Sequence, residues 1–137
     1  MTVIADTGAL YALTDASDAW HTRVVDWWKQ NRKPVLVPVS VLPEVTWLLE
    51  TRISAEAEIA FIRAIADGEF VTEAIDPGDF DRAAALMERY ADFPLGFVDA
   101  TVVAIAERAD AKEILTTDRR HFSAVRPAHT RSLTLVP

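Results

Sequence analysis

Cysteine is absent from the 137 residues. No disulfide, thiolate nucleophile or cysteine-ligated zinc or iron–sulfur centre is therefore available. Glycine is scarce, with only Gly8, Gly68, Gly78 and Gly96, which is few for a protein of hairpins and flaps. No apolar run approaches the ~18 residues of a membrane span, so no membrane association is expected. No lysine or arginine precedes Arg23, so no signal peptide is expected and a cytoplasmic setting is permitted. Positive charge is in deficit: 14 Lys and Arg stand against 21 Asp and Glu, a net charge of −7. Phosphate contacts need Lys and Arg, so such a chain is a poor non-specific binder of nucleic acid.

What is present reads as ordinary globular composition, half apolar and about a quarter charged. The length suits a single domain spanning residues 1–137, because domains cluster near ~100–150 residues. Residues 2–5, TVIA, form a short apolar run that predicts a buried strand. Helical patterning follows over 7–13. Ser17 or Asp18 is the expected N-cap of the next helix. There Trp20, Val24, Trp27 and Trp28 recur at helical spacing and predict one core-facing side. KPVLVP predicts a second strand, closed by Pro38. Ser40 is then the expected cap of a helix reaching about Arg52, with Pro43 tolerable in its first turn.

Ser54 is expected to cap a further helix that Gly68 ends. EFVTEAI, residues 69–75, predicts a third strand. Asp76-Pro77 opens a helix to about Tyr90, Phe97 to Ala109 predicts another, KEILTT a fourth strand and SLTLV a fifth. Strands alternate with helices, and the first, second and fourth strands lack clean polar alternation. That is the pattern of a mainly parallel five-stranded sheet in an α/β fold, with helices on both faces.

Asp6-Thr7-Gly8 spells the short motif of aspartic proteases. Those enzymes are all-β, whereas here five residues precede Asp6 and helical patterning follows it. A haloacid-dehalogenase phosphatase needs a second Asp where Gly8 stands. A phosphoacceptor receiver domain needs paired acids after the first strand and a lysine after the fifth, and neither is present.

In open parallel sheets, ligands bind beyond the carboxyl ends of the strands. Asp6 follows the first predicted strand, Ser40 and Glu44 the second, and Thr116, Thr117 and Asp118 the fourth. Asp99 opens the helix before the fourth. Read singly, each acid is more simply a cap or a first-turn residue. Together they predict four carboxylates at one crevice, which must either protonate or be neutralised by cations. Oxygen donors without cysteine favour Mg²⁺ or Mn²⁺, ions that serve phosphoryl chemistry.

VIADTGALYAL, VSVLPEVTWLL and FPLGFVDATVVAIAERADAKEILTTDRRHF match, in order and spacing, the acidic motifs of a known family. The chain resembles a PIN domain, and within that group the VapC-like toxins of toxin–antitoxin pairs. The resemblance implies a three-layer α/β/α fold and a metal-dependent endoribonuclease. It implies Asp6, Glu44, Asp99 and Asp118 as the metal-binding acids, with Thr116 supporting them. It also implies a homodimer and a cognate antitoxin. One departure is Gly8, where the family more often has Ser or Asn.

The expected reaction is in-line attack of activated water on an RNA phosphodiester, leaving a 5′-phosphate and a 3′-hydroxyl. A non-catalytic PIN-like binding module, or another metal-dependent phosphoryl-transfer domain, is the alternative. RNA needs cations beside the acids. Arg119 and Arg120 are the expected RNA-binding residues, with Arg126 and Arg131 extending the rim. His121 and His129 read as structural. An exposed tryptophan of the Trp27–Trp28 pair, or the AEIAFIRAI helix, is expected to serve a groove for the antitoxin or the dimer contact.

Overall fold

A computed structural model describes residues 1–137. Strand β1 (Val3–Ala5) is followed by helices α1 (Thr7–Thr14) and α2 (His21–Gln30), then strand β2 (Val35–Pro38). A single 3₁₀ turn (Val39–Val41) leads into α3 (Leu42–Arg52), and α4 (Ala55–Ala66) precedes strand β3 (Val71–Glu73). Helices α5 (Pro77–Arg89) and α6 (Phe97–Arg108) lead to β4 (Glu113–Leu115). A short α7 (Arg119–Ala124) and β5 (Thr134–Val136) complete the order.

The five strands form one sheet in the order β3-β2-β1-β4-β5, and every pairing is parallel. The chain steps outward from β1 to β3 on one side, then returns to place β4 and β5 on the other. This reversal puts a topological switch point between β1 and β4, where ligands of such sheets bind. Right-handed crossovers therefore send the two helix groups to opposite faces. Helix α1 packs on both α2 and α3, α3 packs on α4, and α5 packs along α6.

β1 is buried throughout, as is the central stretch of α6 from Ala100 to Ala106. A helix buried all round fits its run of alanine, valine and isoleucine. It also anchors Asp99, one residue before that stretch, against the middle of the sheet. At the far edge, Arg108 bonds Asp79 at 3.1 Å and Glu73 at 2.9 Å, joining the end of α6 to the start of α5.

Three local expectations are corrected. The N-cap of α2 is Trp20, not Ser17 or Asp18. The Asp18 carboxylate instead accepts from the Trp20 N–H at 2.8 Å, closing a turn just ahead of the helix. The 3₁₀ turn displaces Ser40 from the cap of α3, which falls at Val41. Ser40 Oγ accepts from Thr101 Oγ1 at 2.8 Å, a bond from the β2 end to α6. Finally, Trp20 lies outside the core, whereas Trp27 and Trp28 both pack against it. The caps at Ser54 and Asp76 and the left-handed Gly68 stand as read.

Candidate active site

Asp6 leaves the central strand directly and lies 5% exposed, at the floor of the site. Its backbone N–H bonds Leu115 of β4 at 2.9 Å, so β1 and β4 deliver their ends together. The fully buried Thr116 donates to Asp6 Oδ2 at 3.0 Å. The same Thr116 hydroxyl accepts from the Asp118 N–H at 2.9 Å. One side chain thus fixes both acids.

Asp118 caps α7, accepting from the His121 N–H at 3.0 Å through Oδ1. Its Oδ2 lies 2.8 Å from His121 Nδ1. Asp99, in the first turn of α6, completes a group: ligand atoms of Asp99, Asp118 and His121 lie within 4.8 Å of one another. Glu44, in the first turn of α3, is exposed at the rim, where its Oε1 accepts from Thr7 Oγ1 at 2.7 Å.

The electrostatics follow from crowding. Burial first, then the Asp99 carboxylate, raise the Asp6 carboxyl to about 7, against hydrogen bonds from Thr7 and Thr116 that favour the anion. Burial first, then Asp118, raise Asp99 to about 6, with Glu44 adding to the push and His121 opposing it. Carboxylates held this close without a cation disfavour their own ionisation. Oxygen donors, one imidazole and surplus negative charge suit a divalent ion such as Mg²⁺ or Mn²⁺.

The structure therefore brings Asp6, Asp99, Asp118 and Thr116 together, with Glu44 beside Asp99. His121, expected to be structural, joins them because the N-cap turn swings its ring back to Asp118. The legible signal is a histidine three residues after a capping Asp. His129 stays apart, with Nε2 2.7 Å from the Ala111 carbonyl. Arg119 is not a free rim residue: it donates to the backbone oxygens of Leu135 in β5 and of Pro137 just beyond that strand. Gly8 also has a reason. A Cβ there would lie 2.3 Å from Thr117 Oγ1, so glycine lets the loop after β4 close onto α1.

This geometry agrees with the comparisons to known proteins. The PIN domain family model matches residues 3–126, and the chain belongs to that family. It is 34% identical to Ribonuclease VapC26 of Mycobacterium tuberculosis, over 98% of this chain and 100% of that one. The crystal structure of M. tuberculosis VapC20, described as a sarcin–ricin loop cleaving toxin, superposes with a TM-score of 0.84 at 25% identity, covering 94% of this chain and 98% of VapC20. A toxin–antitoxin complex from Klebsiella pneumoniae shares the fold, with a TM-score of 0.68 at 17% identity, covering 90% and 92% of the two chains.

Proposed function

We propose that this chain is a divalent-metal-dependent endoribonuclease, a single PIN domain acting in the cytoplasm as the toxin of a toxin–antitoxin pair. The observation that carries the reading is the convergence of Asp6, Asp99 and Asp118 beyond the ends of β1 and β4, where burial and neighbouring carboxylates raise the Asp6 and Asp99 carboxyls. The likeness to Ribonuclease VapC26 supports the activity, and the toxin description of VapC20 supports the biological role.

Asp6, Asp99 and Asp118 would hold Mg²⁺ or Mn²⁺, with Glu44 as a further ligand or as the group that orients water. The ion supplies Lewis acidity, making water more acidic and offsetting charge on phosphate oxygens. Thr116 keeps Asp6 and Asp118 in register through its paired bonds. His121 holds the Asp118 carboxylate in one orientation. Thr7 steers Glu44 Oε1 at the rim, where a carboxylate can take a proton from water attacking the phosphodiester. Hydrolysis leaves a 5′-phosphate and a 3′-hydroxyl.

The partners are RNA, a second copy of this chain and an antitoxin. A groove of about 430 Å³ runs between α1, α2 and α4, lined by Leu13, Trp28, Ala60, Phe61, Ala64 and Phe70 among others. It has the apolar character that an antitoxin helix would fill.

The test is incubation with structured RNAs, with and without Mn²⁺, beside the Asp6→Asn variant. Metal-dependent cuts with 5′-phosphate ends, absent in the variant, are expected. Cuts that persist in the variant or need no metal contradict the reading.

A further inference from the structure

The turn that supplies Asp118 also supplies adjacent arginines, and each is seated on an aromatic ring. The Arg119 guanidinium lies 5.4 Å from the centroid of Trp20, and Arg23 covers the same ring at 3.8 Å. Arg120 lies 5.4 Å from Phe93. Phe93 in turn packs on His121, with centroids 5.1 Å apart. Two cation–aromatic groups, one built on Trp20 and one on Phe93, therefore flank the Asp118 turn.

The core explains neither ring. Trp20 and Phe93 are only partly buried, and neither belongs to the hydrophobic core or packs against it. The arginines are equally unassigned. None of Arg23, Arg119 and Arg120 enters an ion pair of the chain, although the backbone oxygens of Leu135 and Pro137 hold Arg119 in place. Unpaired Arg23 and Arg120, with the tethered Arg119 between them, are the local cations that a polyanion approaching the acid cluster of this chain of net charge −7 would meet. Seating on a ring restricts their rotamers, so less entropy is lost when they bind phosphate.

We propose that the Trp20–Arg23–Arg119 and Phe93–Arg120 groups form an RNA clamp across the acid site. The guanidiniums take backbone phosphates, and the rings and guanidinium planes receive unstacked bases. Such a surface selects single-stranded or loop RNA over a duplex, whose bases are stacked inside an A-form helix. The clamp deepens the ribonuclease reading and rests on it for its substrate class.

The test measures fluorescence anisotropy with a short labelled single-stranded RNA and with its duplex, in the Asp6→Asn background. Arg23→Gln, Arg120→Gln and Trp20→Leu should each weaken single-strand affinity about tenfold, with far-UV circular dichroism unchanged. Each arginine removed should also lower the slope of log affinity against log salt by about 0.7. Arg120→Lys should keep the slope but lose affinity. With Asp6 present, the same changes should raise KM and spare kcat. Unchanged affinity and KM in all three variants overturn the clamp and leave the nuclease reading intact. Loss of antitoxin binding with RNA affinity unaltered also overturns it. Binding through these residues without any cleavage supports the clamp and removes the nuclease reading.

Discussion

Asp6 is buried, fixed by Thr116 and flanked by Asp99, and its pH behaviour follows from those facts. The Asp6 and Asp99 carboxyls are raised from 3.8 to about 7 and about 6. Between those values and the ordinary one, the folded chain holds protons that the unfolded chain has released. Stability without metal therefore falls as pH rises through that window. Thermal melts should give a higher Tm near pH ~5 than near pH ~8, and Mn²⁺ should restore much of the difference at the higher pH. Asp6→Asn should flatten the profile, gaining on the order of 2–4 kcal/mol at the alkaline end, where wild-type Asp6 is ionised.

Gly8 gives a second test at the same scale. Gly8→Ser must displace the Thr117 hydroxyl and should cost roughly 1–3 kcal/mol. The Gly8→Ser/Thr117→Ala double variant should recover most of that loss, as the coupling in a double-mutant cycle of Tm values. Independent, additive effects would show that the two positions do not compete for space.

At the scale of elements, the strands and long helices were legible because their signals are local. TVIA, PVLV and EIL are short apolar runs, and Ser54, Asp76-Pro77 and Gly68 carry cap chemistry within a few residues. Acids placed just after strands could be predicted to share a crevice once the sheet was read as parallel. α7 was not legible. RRHFSA buries only Phe122, so it has no repeating apolar spacing to mark it. The tether of Arg119 depends on β5 lying beside β4, which no local pattern encodes. Ser40 was misread because a 3₁₀ turn and an α-helix begin with the same residue preferences.

Arg108 is an element-scale prediction of another kind. It holds Asp79, itself 4% exposed, so Arg108→Ala strands a buried carboxylate. A loss of roughly 2–4 kcal/mol in urea unfolding is expected, with metal affinity unaffected. The α4 groove makes a matching claim about partners. Ala60→Arg should abolish capture of the antitoxin in a pull-down while RNA cleavage continues. Cleavage lost together with capture would mean that the groove and the acid site are not separate.

At the scale of the whole molecule, no helix is long and apolar enough to cross a membrane. The acidic charge is partly gathered at the site, where a bound cation would offset it, and Arg23, Arg119 and Arg120 lie beside the Asp118 turn on the rings of Trp20 and Phe93. Phe80 and Phe97 stack at 6.1 Å while remaining about half exposed, and Met87 is exposed on the same helix as Phe80. An apolar patch of this kind is a candidate dimer face. Light scattering should give twice the chain mass, and Phe80→Glu should return the monomer. A wild-type chain that is monomeric at high concentration would contradict the homodimer.

The central claim is that Asp6, Asp99 and Asp118 share one cation and that RNA is cut there. Its most direct test is a Mn²⁺ titration followed by electron paramagnetic resonance, with RNA cleavage assayed on the same samples of wild type and Asp99→Asn. Mn²⁺ binding and cleavage should rise together in the wild type and be lost together in the folded variant. Cleavage by Asp99→Asn without bound Mn²⁺, or tight Mn²⁺ binding by wild type that cuts no RNA, would contradict it.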